Sequence, residues 1–192
     1  MFAAMGVLFA LPRPYFVPGT FAATACMLLA TLYTGGFARL PKSRALSVAL
    51  GLCSAALLYA VFVAGSAGIS ALHPLGIGAS DESSIYALIA SPGNPLALQV
   101  ALLAFDAAGY ESFFRGVLQK RIQPRFGAGS AMAVALLDGA VHLLTLNPLW
   151  VVTTVIADLV WGLTYFYARD LTANLTSHFV WDVMVFIIAP IR

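Results

Sequence analysis

Apolar runs separated by short polar connections make up most of this chain. A membrane-spanning helix needs roughly 20 mostly apolar residues. Runs near that length are Phe16–Gly36, Ala45–Leu72, Leu96–Leu118, Ser130–Leu146, Leu149–Tyr167 and Leu171–Ile188. A shorter run, Phe2–Leu11, ends at Pro12 and Pro14 and reads as a short or partial first helix. It lacks the basic start and the small-residue cleavage site of a signal peptide. The connection Leu72–Pro95 is the longest, and it holds His73, Asp81, Glu82 and the turn-rich Ser91-Pro92-Gly93-Asn94-Pro95. A short interfacial helix is expected at Asp81–Ile89. The expected fold is all-α, a polytopic transmembrane bundle of about six to seven spans. Without repeats or linkers, residues 1–192 read as a single domain.

Composition agrees with that pattern. Of the 192 residues, 61% are hydrophobic and only 9% charged, and the mean hydropathy is +0.91. A soluble domain averages about 45–50% apolar and about 25% charged residues. These values exclude an ordinary cytosolic enzyme and a disordered chain. A net charge of +2 gives no reason to expect an anionic polymer, so nucleic acid is excluded as a partner. The lipid bilayer is the expected surrounding. Cys26 and Cys53 both lie in apolar runs and imply neither a disulfide framework nor a metal site.

Charge orients the bundle. Seven of the ten basic residues, Arg39, Lys42, Arg44, Lys120, Arg121, Arg125 and Arg169, fall on one side of the membrane. The positive-inside rule makes that side cytoplasmic. Arg13 and Arg192 fall on the other side, and Arg115 lies within a span. The Leu72–Pro95 connection then faces outward.

Five of the eight acids, Asp106, Glu111, Asp138, Asp158 and Asp182, fall inside predicted spans, as do Arg115, His142 and His178. A charge at the bilayer centre costs about 2.5–3.5 kcal/mol even on the lenient insertion scale. Six unpaired charges would therefore cost about 15–20 kcal/mol, more than the roughly 5–15 kcal/mol that holds a typical protein folded. These groups must pair, stay neutral or line a wet site. Their spacing is regular: Glu111 and Arg115, Asp138 and His142, and His178 and Asp182 are each one helical turn apart, on one face. Three helices thus carry one polar stripe each, and the stripes are expected to converge on a common cavity. Asp158 stands alone near the middle of its span; it reads as a neutral acid bonded to a neighbouring helix and is assigned no catalytic role. Structural glue between helices is the plainer reading of any one stripe. Three stripes that include both membrane histidines favour a site.

A carboxylate beside a histidine can hold and deprotonate a water. A second histidine with a polar partner can donate hydrogen bonds to a developing oxyanion. Together they suit amide hydrolysis inside a bundle that excludes bulk water. No Gly-x-Ser-x-Gly signals a serine hydrolase, and no His-Glu-x-x-His signals a zinc protease. No ligand spacing demands a metal, and no cofactor is required.

The stretch Tyr110-Glu111-Ser112-Phe113-Phe114-Arg115-Gly116 resembles the first motif, Glu-Glu-x-x-x-Arg-Gly, of the CPBP family. These are the CAAX-protease and bacteriocin-processing intramembrane proteases, including the type II CAAX prenyl endopeptidases. Asp138-Gly139-Ala140-Val141-His142 takes the place of the family's Phe-x-x-x-His, and His178-Phe179-Val180-Trp181-Asp182 that of its His-x-x-x-Asn or His-x-x-x-Asp. The resemblance covers about residues 96–190. It implies an endopeptidase of glutamic type in a bacterial inner membrane, acting by activated water on a membrane-associated peptide or protein. It also implies that Glu111 and Arg115 are a positioning ion pair, that His142 is a water ligand or base partner, and that His178 and Asp182 lie on the oxyanion side.

The chain departs from the motifs at two positions. Tyr110 stands where the first glutamate is expected, and a phenol is a poor base at neutral pH. Glu111 points roughly 100° away around the helix. Asp138 stands where the family usually has an aromatic residue. Either Asp138 or Asp106, one turn before Tyr110, then supplies the missing carboxylate. The rival readings are a weakened pseudoprotease that binds a membrane partner, in an immunity or chaperone-like role, and a small transporter or proton relay. Missing inverted repeats and missing paired broken spans weigh against the transporter.

Overall fold

The computed structural model describes residues 13–35, 43–71 and 95–191. The short helix expected at Phe2–Leu11, the basic connection at Arg39 and Lys42, and the outer loop with His73 and Asp81–Ile89 lie outside these residues. Among the described residues there are helices and no strands. They are α1 Arg13–Thr34, α2 Arg44–Ser70, α3 Leu96–Phe113, α4 Lys120–Phe126, α5 Gly129–His142, α6 Pro148–Ala168 and α7 Leu171–Val183. A π-helical stretch, Phe114–Gln119, joins α3 to α4 without a break, and a second one, Met184–Ile188, extends α7.

Among the described residues, helices occupy the apolar runs from Phe16 onward, so the chain folds as a helical membrane bundle. Among the described residues, Arg44–Ser70, Pro148–Ala168 and Leu171–Ile188 are long and apolar enough to cross a bilayer by themselves. The run expected at Ser130–Leu146 is shorter than the others, with Gly129–Thr145 helical. Its end has a local cause. Leu146 takes a left-handed φ of 54°. Asn147 is extended because Pro148 follows it. The Asn147 side chain then accepts from Trp150 N at 2.9 Å and caps α6. At the other end of α6, Arg169 is left-handed, and Asp170 caps α7 by accepting from Thr172 N at 2.8 Å.

In packing, α1 lies on α3, α2 on α7, α5 on α6, and α7 also meets α3 and α6. One apolar core joins Met27 of α1 to Phe113, Phe114, Val117, Val134 and Val141. A second joins Ala55 and Leu58 of α2 to Ala157, Trp161, Trp181 and Val185. Glycines let helices approach closely. A Cβ on Gly162 of α6 would stand 2.8 Å from the Ala131 Cβ of α5, and one on Gly109 of α3 would run into Thr24 of α1. The outside of the bundle is apolar: Leu46, Leu50, Leu57, Leu136, Val152 and Ile156 are exposed, as expected of a surface facing lipid. Cys26 and Cys53 are free and exposed. Trp161 and Trp181 are buried packing residues, whereas Tyr167 is exposed.

The basic connections flank α2, α4 and α6, so their side is testable. Single cysteines placed at Ser43 and Gly127 should react with an impermeant maleimide only from the cytoplasmic face. Labelling from outside would reverse the orientation.

Candidate active site

The inside of this bundle is polar. Glu111, Arg115, Asp138, Asp158 and Asn174 are all 0% exposed, and His142, His178 and Asp182 are buried too. Buried charge survives in such a place only when it is paired and hydrogen-bonded.

Glu111 sits at the centre. Its Oε2 lies 3.2 Å from Arg115 Nε, the pair expected from their one-turn spacing. The same oxygen accepts from Asn174 Nδ2 at 3.1 Å. Its Oε1 is 2.8 Å from His178 Nδ1. An ionised carboxylate has no hydrogen to give, so Nδ1 is the donor. The His178 ring is held in place by Trp161, stacked on it at 3.9 Å. Trp161 Nε1 donates to Ser177 Oγ at 3.1 Å, and Asn174 Nδ2 also donates to the Trp161 carbonyl at 2.8 Å. His178 Nε2 lies 3.6 Å from Asp182 Oδ2. Each ring nitrogen therefore faces a carboxylate, an arrangement that an imidazolium satisfies.

Arg115 is shared. Its Nη2 donates to Asp158 Oδ1 on α6. Asp158 is thus not alone, as its sequence position indicated; it is the second anion of a buried guanidinium. One turn further, Gln119 Nε2 donates to the Gly162 carbonyl at 2.7 Å. The π-helical stretch is buried at Phe114–Val117, and its Arg115 and Gln119 bond to α6. Such stretches often mark functional sites.

A second group lies on α5. The Tyr110 hydroxyl donates to Asp138 Oδ2. His142 Nδ1 is 3.0 Å from the Asp138 carbonyl and 3.6 Å from Oδ2. Donating Nδ1–H to that carbonyl leaves Nε2 as the acceptor. Tyr110 also stacks on Phe114 at 4.4 Å and meets the His178 ring edge-on at 5.3 Å. It links the two groups. Tyr110 and Glu111, adjacent on α3, address different helices: the phenol reaches α5 and the carboxylate reaches α7. Asp106 accepts from Thr24 Oγ1 of α1 at 2.6 Å and lies within electrostatic reach of His142 and His178.

The polar stripes of α3, α5 and α7 therefore come together. Asn174, Trp161, Gln119 and the identity of Asp158's partner escaped the sequence reading. Two of them carried a signal. Asn174, His178 and Asp182 continue one stripe at four-residue spacing, and so do Glu111, Arg115 and Gln119.

Residues 92–184 match the family model described as type II CAAX prenyl endopeptidase Rce1-like. This segment is similar to an Rce1-like domain. It runs from just before α3 to the end of α7, and it holds every residue of the cluster. The Rce1-like domain is that of a membrane protease family, and α1 and α2 precede it. No curated protein and no solved structure matches the chain.

Proposed function

We propose that this chain is an intramembrane endopeptidase of a bacterial inner membrane, hydrolysing a peptide bond of a membrane-associated protein or peptide with an activated water. One observation carries the reading: carboxylates, histidines and a guanidinium from α3, α5, α6 and α7 form one buried, connected set inside an Rce1-like domain.

The parts suit the chemistry. Asp138 and His142 are the groups placed to hold water and take its proton. The carboxylate is oriented by Tyr110, and the imidazole by its Nδ1 contact with the Asp138 carbonyl. As the water oxygen adds to the carbonyl carbon, negative charge grows on the carbonyl oxygen. His178, clamped by Glu111 and Trp161 and flanked by Asp182, is the donor for that charge. Glu111 and Arg115 position His178 rather than react. No step calls on a metal or cofactor.

The test uses purified protein in detergent and two probes: a dye-quenched peptide ending in a farnesylated CaaX sequence, and an unprenylated dye-quenched transmembrane peptide. Cleavage of either, abolished by His142→Ala, supports the reading, and the probe that is cut identifies the substrate class. Tyr110, at the position of the expected first glutamate, favours a second reading, a pseudoprotease that binds a membrane partner. A native chain inert on both probes, beside a Tyr110→Glu variant that cuts, would establish the second reading.

A further inference from the structure

A net charge of only +2 hides a strong separation of charge along this chain. Seven of the ten basic residues belong to the end expected to be cytoplasmic, and the eight acids are spent elsewhere. Asp81 and Glu82 fall in the Leu72–Pro95 connection, expected on the opposite side. Asp106 is bonded to Thr24, Glu111 and Asp158 to Arg115, and Asp138 to Tyr110, while Asp182 lies beside His178. Asp170 is at the basic end, but it is buried and caps α7.

The cations left over are on the surface. Arg44 of α2, Lys120, Arg121 and Arg125 of α4, and Arg169 after α6 are all exposed. The ion pairs among the described residues join other groups. These cations share one end of the bundle. Gly51, seven residues after Arg44, meets Ala173 and Thr176 near the start of α7. The Gln123 amide oxygen of α4, turned toward the α6–α7 connection, accepts from Arg169 Nη2 at 3.0 Å.

The form of α4 suits a bilayer surface. Gln123 is buried, and Ile122 packs on the apolar core around Phe113. Arg121 and Arg125, one turn apart, are thereby turned outward on a common face. The Arg125 guanidinium lies 5.8 Å from the centre of the exposed Phe126 ring, and Tyr167, two residues before Arg169, is exposed as well. Aromatic rings beside cations are the pattern of a membrane–water interface. Cations without acids of their own chain take their counter-charge from outside it. At the surface of a membrane the anion at hand is the phosphodiester of a lipid, to which an arginine can offer two parallel N–H groups.

We propose that α4 and the α6–α7 connection form a docking surface for the headgroup of an anionic phospholipid. Its phosphodiester meets Arg121 and Arg125, with Lys120 and Arg169 beside them. This surface does not depend on the endopeptidase reading. It does bear on the polar cluster, because α4 continues without a break from the π-helical stretch that carries Arg115 and Gln119.

Electron spin resonance of the full chain in phosphatidylcholine nanodiscs tests the surface. Spin-labelled phosphatidylglycerol should associate with the protein at least about five-fold more strongly than spin-labelled phosphatidylcholine, the factor expected from a single basic residue near a surface. Roughly 1 M salt should abolish the preference in the native chain, because screening then acts within a few ångströms. Arg121→Gln and Arg125→Gln together should bring the two lipids close to parity, whereas Arg121→Lys and Arg125→Lys together should keep most of the preference. Both pairs are exposed, so the melting temperature in detergent should not change. Glycerol phosphate, which has the anion but no acyl chains, should not displace the labelled lipid. Equal association of the two lipids with the native chain would overturn the proposal and leave the cations to an acidic peptide or to solvent. A preference that survives in the glutamine pair would place the lipid elsewhere on the bundle, and displacement by glycerol phosphate would make the surface one for soluble phosphate esters.

Discussion

Replacing Asp138 with asparagine should lower turnover of a cleaved probe peptide by about 10²–10⁴-fold, the range lost when a general acid–base group is removed. The substitution is nearly isosteric. The amide oxygen can still accept from the Tyr110 hydroxyl, which now holds Asp138 Oδ2. What disappears is the group able to take a proton. The melting temperature in detergent should therefore change far less than the rate. His142→Ala should do at least as much damage, because its ring lies 3.6 Å from the same carboxylate. An Asp138→Asn protein that cleaves at the native rate would remove Asp138 from the chemistry and return the question to Asp106. Asp106, however, already accepts a hydrogen bond from Thr24 of α1.

Arg115→Ala should be the most destabilising single change in the bundle. Breaking one partner of a buried ion pair typically costs about 3–5 kcal/mol, because the remaining charge is stranded away from water. Here the guanidinium serves both Glu111 and Asp158, so two carboxylates are stranded together. Thermal unfolding in detergent measures the effect, and activity should be lost through the fold rather than selectively. Arg115→Lys should recover part of the stability, since an ammonium keeps the charge but cannot reproduce the planar fork that spans two acids. An unchanged melting temperature in Arg115→Ala would contradict a guanidinium buried between α3 and α6.

Much of this protein was legible in the residues themselves. Spans follow from the length of the apolar runs, because a bilayer leaves a chain of this composition little choice but helices that satisfy their own backbone. The pairing of Glu111 with Arg115, and the common face of Asn174, His178 and Asp182, follow from helical geometry, which sets positions i and i+4 side by side in any helix. Contacts between helices are of another kind. That Arg115 bonds Asp158, that the Tyr110 hydroxyl finds Asp138, and that Glu111 reaches His178 depend on how each helix is rotated about its axis and how closely it approaches its neighbour. Those quantities come from packing: the seat of Gly162 against Ala131, of Gly109 against Thr24, and the π-helical stretch at Phe114–Gln119 that sets the faces of α3 and α4. Spacing along one helix carries no information about them. For that reason Asp158, with no ionisable residue one turn away, looked solitary in the sequence, and only the tertiary structure gave it Arg115 as a partner.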